Sequence, residues 1–384
     1  MAYVQRTKIA SWKRFTIRTT AILAVAIVCG LSTAGWSEEQ GAGGKREIDV
    51  ATVNMYVGAD FSPVTTLNPS DPNYGVKLLT GVATIYGRIV ASDFPRRAEA
   101  LAQQIVAHAP DLVALQEVSL IRRQSPGDAI VGGTMPATKV ELDYLAILLH
   151  ALERRGGHYA VASQVQDIDV EVPLVTGPGT FDDLRLTDRD VILMRTDLPP
   201  GHLRTTNPQG ANFVARVPLP IGVDVLRGWC SVDVQVRGRR FRFINAHLEQ
   251  NLPPPLPDIQ AIQAAELLGR SGPANTTLPV ILAGDFNSDA YGKYGPAVYS
   301  LLTRQGGLTD SWSDARGGEL GLTWGHDEFL SDRTLHFIYR LDLILFRAGS
   351  FEASDAVVVD PVIGSSAPLW FSDHAGVFAT LAIK

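Results

Sequence analysis

The fold of this 384-residue chain is indicated most clearly by one short segment, Val-Ile-Leu-Ala-Gly-Asp-Phe-Asn-Ser-Asp at residues 280–289. Its first four residues are apolar or small and predict a buried strand, which ends at Gly284. Asp285 and Asn287 follow two positions apart, so an extended backbone would project both side chains from one face. A carboxylate beside an amide suits phosphate chemistry, because the acid can move a proton or bind a cation and the amide can donate to an anionic oxygen.

Outward from this segment, strand and helix patterns cover most of the chain. Strands are predicted at residues 48–53, 111–117, 190–195, 231–236, 242–247, 280–284, 341–346 and 377–383, and helices at 93–108, 142–154 and 257–268. Many strands, few helices and no internal repeat favour a layered α+β domain with two packed sheets and outer helices. Residues 60–79, 163–187, 198–221 and 317–340 look irregular, and loops of this length are typical of functional rims.

The first 34 residues differ from the rest in charge. They contain five basic side chains and no acidic one, with an apolar run at residues 21–30 and small residues at 32–34, which is typical of a secretory signal peptide. An uncleaved membrane anchor is the alternative, although the apolar core is shorter than the roughly 20 residues that a span needs. We expect a signal peptide at residues 1–34, a flexible leader at 35–45, one domain at 46–384, and a secreted or periplasmic protein without a stable membrane span.

Composition and charge narrow the class of protein. Hydrophobic residues make up 46% and charged residues 19% of the chain, which is ordinary for a globular protein. Loss of the five basic residues would change the formal net charge from −6 to −11, and this acidic balance argues against broad attraction to a polyanion. Cys230 would be the one remaining cysteine, so no internal disulfide is expected and the fold must rest on its core.

Several predicted strands end at, or carry, a polar side chain. These side chains are Asn54, Glu117, His247, Asp285, Asn287 and Asp342, and Asp373 and His374 precede the last strand. Each one alone is more often a structural cap than a functional group. Together they would gather at one edge of a sheet sandwich, where carboxylate and amide oxygens suit Mg²⁺ and two histidines with an acid suit proton transfer. Metal-assisted phosphoester hydrolysis uses such a combination.

The order of these motifs resembles the endonuclease/exonuclease/phosphatase superfamily, which includes pancreatic-type deoxyribonucleases, abasic-site endonucleases, inositol polyphosphate 5-phosphatases and neutral sphingomyelinases. The matching pieces are Thr-Val-Asn at 52–54, Leu-Gln-Glu-Val at 115–118, Asn-Ala-His-Leu at 245–248, Gly-Asp-Phe-Asn at 284–287, Leu-Asp at 341–342 and Ser-Asp-His at 372–374. Exported bacterial members are similar in Asn-x-Tyr-x-Gly-Ala-Asp at 54–60 and in a Trp at 370. Over residues 46–384 the resemblance implies a four-layer α/β/β/α sandwich with two packed mixed β-sheets flanked by helices.

The resemblance also implies a metal end of the site. Glu117 would be the main ligand of Mg²⁺, for which Mn²⁺ could substitute, and Asn54 would help to hold this end. Asp373 would lie near the metal or its water. Asp285 would orient or deprotonate the attacking water, or protonate the leaving group. Arg189 stands where some relatives carry a phosphate-contacting arginine, although it could instead pair with the aspartate on either side of it.

At the phosphate end, the resemblance implies that Asn287 donates a hydrogen bond to the scissile phosphate. His247 and His374 would bracket that phosphate and stabilise its developing charge. Asp342 would bond to His374, which would fix the ring orientation and raise the pKa of His374.

The identity of the phosphoester stays open at this level. A secreted nuclease or general phosphodiesterase is favoured slightly, with a phospholipase C-like or sphingomyelinase-like lipid hydrolase next. A phosphatase of a small or inositol-type phosphate is a further alternative, but such enzymes usually carry extra basic residues near the site, and few basic residues lie near the motifs here. An inactive binding protein is disfavoured, because none of the strand-end residues is replaced. We expect a monomer.

Overall fold

A computed structural model describes residues 46–219, 221–251, 258–334 and 336–384. The predicted signal peptide and leader lie outside the described residues. Within the described part of the chain, no helix has both the length and the apolar character that crossing a bilayer requires.

Among the described residues, two large sheets and seven α-helices form the domain. The first sheet contains β1 Glu47–Asn54, β2 Leu112–Gln116, β3 Leu120–Gln124, β4 Lys139–Asp143, β5 Tyr159–Gly177, β6 Thr180–Arg195, β15 Phe351–Val359 and β16 Gly376–Ile383. The second contains β7 Leu203–Asn212, β10 Gly228–Val236, β11 Arg239–His247, β12 Val280–Asp285, β13 Leu308–Asp310 and β14 Asp342–Arg347, and a small ribbon pairs β8 Val217–Pro218 with β9 Asp224–Val225. The helices are α1 Ser62–Thr65, α2 Tyr74–Ala91, α3 Phe94–His108, α4 Tyr144–Arg154, α5 Ile259–Leu268, α6 Pro296–Ser300 and α7 Ser311–Arg316.

Both sheets are mixed. The order of the first is β15-β16-β1-β2-β6-β3-β4 with β5 paired to β6, and the order of the second is β13-β14-β12-β11-β10-β7. In the first sheet β1 and β2 are parallel, and in the second β11 and β12 are parallel. Parallel neighbours end at the same edge of a sheet, so each of these pairs brings two carboxyl-terminal strand ends together.

Most of the core of the described residues lies in three apolar layers. Between the sheets, Val50 and Leu112 of the first sheet share a buried cluster with Val232, Phe243 and Ile281 of the second. The outer face of the first sheet is covered by α3 and α4, and the outer face of the second by α5 and α6. Strand alternation sends successive side chains to opposite layers. The predicted four-layer α/β/β/α sandwich is therefore confirmed.

The predicted strands and helices are found within a few residues of their expected bounds. α3 begins as predicted, because the side chain of Asp93 accepts a hydrogen bond from Arg96 N. The expectation of irregular structure is wrong in three places, where the chain forms α2, the long β5–β6 hairpin and β7. Buried positions of the hairpin carry charged side chains, and Asp169 of β5 pairs with Arg185 of β6. Residues 317–340 are largely irregular, as expected.

Candidate active site

The polar strand ends meet where the two sheets face each other. Asn54 ends β1 beside Gln116, the last residue of β2, and Glu117 follows immediately. In the second sheet, His247 ends β11 opposite Asp285, the last residue of β12. A hydrogen bond of 3.0 Å from Asn54 Nδ2 to Asp285 Oδ2 joins the edges of the two sheets. All of these side chains therefore belong to one site.

Gly284 is required by the close approach of β11 and β12. A Cβ atom at this position would lie 1.9 Å from the carbonyl oxygen of Ala246, which is far inside van der Waals contact. The glycine that marks the strand end in the sequence therefore lets Asp285 reach the register of His247.

The amide of Asn54 connects the acids of the site. Its Nδ2 donates to Glu117 Oε1 at 3.1 Å as well as to Asp285 Oδ2, and its Oδ1 accepts from Tyr56 N at 2.9 Å. Glu117 Oε2 accepts from Val57 N at 2.7 Å. Both carboxylates are thus held in fixed orientations by donors, which lowers the cost of placing them close together.

His374 is paired with an acid. Its Nδ1 lies 2.9 Å from Asp342 Oδ2, and its Nε2 lies 3.7 Å from Asp285 Oδ2. Burial acts to lower the pKa of His374, but the charges of Asp342, Asp285 and Asp373 outweigh it and hold the pKa well above 6.5. The ring is therefore an imidazolium near neutral pH, and its Nδ1–H donates to Asp342.

The ring of His247 has different neighbours from the ring of His374. Its Nε2 lies 3.6 Å from the same Asp285 oxygen, but its Nδ1 lies 3.0 Å from Arg227 Nη1 and 3.8 Å from Asp190 Oδ1. Burial lowers the pKa of His247 well below 6.5, and the positive charges of Arg227 and His374 lower it further. This ring is neutral near neutral pH.

Asn287 is oriented by three contacts. Its backbone N–H donates to Asp285 Oδ1 at 2.8 Å, and its Nδ2 donates to the carbonyl oxygen of Leu248 at 2.9 Å. The same Nδ2 lies 3.3 Å from His247 Nε2. The side-chain amide therefore lies next to the ring of His247.

Two carboxyl groups of the site hold protons more tightly than usual. Burial raises the pKa of Asp285, the charge of His374 opposes this, and the charge of Asp342 adds to it. Burial also raises the pKa of Asp373 to about 6, with His374 opposing and Glu117 and Asp285 reinforcing the rise. Raised carboxyl pKa values bring proton transfer into the neutral range, which is typical of catalytic acids and bases.

Three residues of the site have a strained backbone. Tyr56, Glu117 and Asn287 have φ angles of 55°, 56° and 47°, a left-handed region that non-glycine residues seldom adopt. Such strain clusters at functional sites, where the surrounding structure enforces it.

Arg189 forms hydrogen bonds with residues other than the two aspartates that flank it in the sequence. Its Nε donates to the carbonyl oxygen of Val118 at 3.0 Å, and its Nη2 donates to Asp143 Oδ1 at 2.8 Å. These bonds tie the residues after Glu117 to the N-cap of α4. Contact of Arg189 with a substrate phosphate stays a prediction.

Arg97 is a site residue that the sequence reasoning missed. Its guanidinium is fully buried and donates to the carbonyl oxygens of Met55, Tyr56 and Phe371 at 2.8–2.9 Å. It therefore fixes the segment after Asn54 and the segment before Ser372 relative to each other. The sequence signal that could have revealed Arg97 is its position, because it lies four residues before Leu101 on the apolar face of the predicted helix.

Comparison with known proteins assigns the fold to a family. A family model described as the Endonuclease/Exonuclease/phosphatase family matches residues 52–374. The chain belongs to this family. Its members are phosphoester hydrolases. A search of curated proteins finds no match.

Solved structures of endonuclease/exonuclease/phosphatase proteins share the fold at low identity. The protein from Leptotrichia buccalis C-1013-b is 17% identical, with a TM-score of 0.50 and coverage of 87% of this chain and 99% of its own. The proteins from Bacteroides thetaiotaomicron and Bacteroides vulgatus are 18% and 14% identical, with TM-scores of 0.52 and 0.51. They cover 89% and 88% of this chain, and each is covered over 100% of its own length.

Enzymes of the endonuclease/exonuclease/phosphatase family use divalent metals, and residues of this chain could bind one. In the part of the chain that the structure describes, two groups of possible ligands each converge within 4.8 Å: Asp285, Asp342 and His374 in one, and Asp167, Asp190 and His247 in the other. In each group the Nδ1 atom of the histidine already has a close partner, Asp342 or Arg227.

The end of the site at Glu117 fits a hard divalent cation better. Glu117 is half-buried, and each of its carboxylate oxygens accepts a single hydrogen bond, so a lone pair remains on each. Asp373 lies near enough for the charge of Glu117 to raise its pKa. Two carboxylates with an adjacent amide are a donor set that suits Mg²⁺ or Mn²⁺.

Proposed function

We propose that this chain is a secreted, Mg²⁺-dependent phosphodiesterase, with a nuclease as its most specific form. The observation that carries the proposal is the convergence on Asp285 Oδ2, which has His247 Nε2 at 3.6 Å, His374 Nε2 at 3.7 Å and Asn54 Nδ2 at 3.0 Å. A phosphoryl group beside this carboxylate would meet two imidazole donors and an ionisable acid. Such a set stabilises the charge that gathers on phosphate oxygens in the transition state.

The residues would divide the chemistry among them. Asp285, with its raised pKa, would accept a proton from the attacking water or give one to the leaving oxygen. His374 would place a full positive charge next to the phosphate, and His247 and Asn287 would supply neutral donors. Mg²⁺ bound by Glu117, Asp373 and Asn54 would supply Lewis-acid stabilisation of the phosphate oxygens.

Secretion rests on the sequence of residues 1–34. Export can be tested by mass spectrometry of the protein from culture medium or periplasm. A mature N-terminus near residue 35 is expected, and a full-length protein retained in the membrane fraction would contradict secretion.

An aromatic row beside His374 favours a nuclease over a lipid hydrolase. The ring centroids of Trp324 and His374 are 6.5 Å apart, Trp324 stacks on Tyr339 at 5.7 Å, and Tyr339 stacks on Tyr294 at 5.4 Å. All three rings of the row are partly exposed. Aromatic side chains at a phosphodiester site suit the planar bases of a nucleic acid.

A side-by-side assay of substrates tests this proposal. The purified protein is incubated with DNA, RNA, sphingomyelin, phosphatidylinositol, bis(p-nitrophenyl) phosphate or the monoester p-nitrophenyl phosphate in Mg²⁺, Mn²⁺ or EDTA. The blank is Asp285→Ala, and the matched control is Asp233→Asn, since Asp233 pairs with Arg242 further along the same sheet. We expect metal-dependent cleavage of nucleic acid and of the generic diester by wild type and by the control.

Other outcomes would replace the proposal. Cleavage of the lipids alone would identify a lipid hydrolase, and release of phosphate from monoesters alone would identify a phosphatase. Equal activity of wild type and Asp285→Ala would show that this site does not carry out the reaction.

A further inference from the structure

The contact between Arg227 and His247 has a chemical consequence for the ring. Arg227 directly precedes β10, and Gly228, the first residue of that strand, pairs with His247 at the end of β11. The side chain of Arg227 is 14% exposed, and its Nη1 lies 3.0 Å from His247 Nδ1. A guanidinium has five N–H donors and no acceptor. Nδ1 of His247 must therefore be the acceptor, which leaves the ring proton on Nε2.

A competing donor lies on the other side of the ring. Asn287 Nδ2 is 3.3 Å from His247 Nε2 and would favour the opposite tautomer if it donated there. That amide already donates to the carbonyl oxygen of Leu248 at 2.9 Å. Hydrogen bonds from a charged donor are roughly twice as strong as neutral ones. Because the contact with Arg227 is also shorter, it decides the position of the proton.

Without Arg227, acidic groups near the ring of His247 would move the ring proton from Nε2 to Nδ1. Asp190 Oδ1 lies 3.8 Å from His247 Nδ1 and could accept a proton from it. Glu249 Oε2 lies 3.7 Å from Arg227 Nε. The guanidinium of Arg227 is therefore next to the ring of His247 and close to an acidic group as well.

We propose that Arg227 is a positioning residue that fixes His247 as the Nε2–H tautomer. His247 then presents a neutral N–H toward the oxygen of Asp285 and toward a phosphate bound there. This last consequence rests on the proposed function, whereas the tautomer itself does not.

Nitrogen NMR of the imidazole rings tests the proposal directly. The chain has eight histidines, and His247 is assigned by the signals lost in His247→Gln. Metal-free protein labelled with ¹⁵N-histidine is measured as wild type, Arg227→Met, Arg227→Lys and Arg242→Met. The last is the matched control, because Arg242 also pairs with an acid in the second sheet.

In wild type, Nδ1 of His247 is expected at the shift of an unprotonated nitrogen and Nε2 at that of a protonated one. Arg227→Met should move the proton to Nδ1, facing Asp190, whereas Arg227→Lys and Arg242→Met should keep the wild-type pattern. A protonated Nδ1 in the folded wild type overturns the proposal even if Arg227→Met does not fold. An unchanged pattern in a folded Arg227→Met overturns it as well.

The NMR measurement does not depend on catalysis, because no substrate is present. If the protein hydrolyses no phosphoester and His247 carries its proton on Nε2, the proposed function fails and the role of Arg227 stands. If it hydrolyses phosphodiesters and His247 carries its proton on Nδ1, the role of Arg227 fails alone.

Discussion

His374 and His247 approach one oxygen of Asp285 from two sides, at 3.7 and 3.6 Å. His374 has an aspartate at its Nδ1, and the acids around it raise its pKa, whereas His247 has an arginine at its Nδ1 and a lowered pKa. Two buried residues of one type therefore reach opposite charge states, because acids overcome burial at His374, whereas burial and Arg227 act in the same direction at His247. The comparison teaches that the charge state of a histidine in this site depends on whether the group behind its ring opposes or reinforces the effect of burial.

The largest effect should come from removing the charged ring. His374→Gln loses a cation next to the phosphate, and we expect turnover to fall by about 10³-fold. His247→Gln loses a neutral donor and should cost less, about 10²-fold. Initial rates on bis(p-nitrophenyl) phosphate with saturating Mg²⁺ give both values. Equal losses, or a greater loss in His247→Gln, would break the distinction between the two rings.

Removal of the acid behind His374 should have the next largest effect. Asp342→Asn keeps a hydrogen-bonding partner but removes the charge that favours the imidazolium, so we expect turnover to fall by roughly 10–100-fold. The alkaline limb of the pH–rate profile should also move to lower pH, because the pKa of His374 falls. The profile of Asp233→Asn is the reference. An alkaline limb at the wild-type position would show that Asp342 does not tune His374.

The smallest effect concerns the free energy of unfolding in EDTA. The rings of His374 and His247 should make it depend on pH in opposite directions. The pKa of His374 is raised in the folded state, so its stabilisation is present below about pH 6.5 and is lost as pH rises through the folded value. The pKa of His247 is lowered, so its stabilisation is present above about pH 6.5 and is lost as pH falls.

Urea unfolding below and above about pH 6.5 measures how the free energy of unfolding depends on pH. His374→Gln should be most destabilising at the acid end, and His247→Gln at the alkaline end. Parallel pH dependences for the two variants would mean that the rings share one charge state.

The sequence predicts the strand that carries Asp285 well, because β12 has a continuous apolar pattern. Asn287 lies beyond the end of β12 with a left-handed φ of 47°, so its place beside Asp285 comes from the turn after the strand and not from an extended backbone. The resemblance adds the Asp342–His374 pair, whose 2.9 Å contact is present in the structure.

The partners of His247 could not be predicted in the same way. Asp167 lies on β5 inside the stretch expected to be irregular, although residues 167–172 alternate acidic and apolar side chains with the period of a strand. Arg227 reaches His247 only because β10 and β11 pair with Gly228 opposite His247. Registers of this kind depend on tertiary packing, which local propensity does not contain.

The most direct test of the central claim is the hydrolysis of one phosphodiester by wild type and by Asp285→Asn, each with Mg²⁺ and with EDTA. Asparagine preserves the shape of the side chain but can neither accept the proton of water nor carry the charge that faces both histidines. Wild type should cleave the diester in Mg²⁺ and not in EDTA, and Asp285→Asn should be slower by at least about 10²-fold. Equal rates for the two proteins in Mg²⁺ would contradict a reaction centred on Asp285.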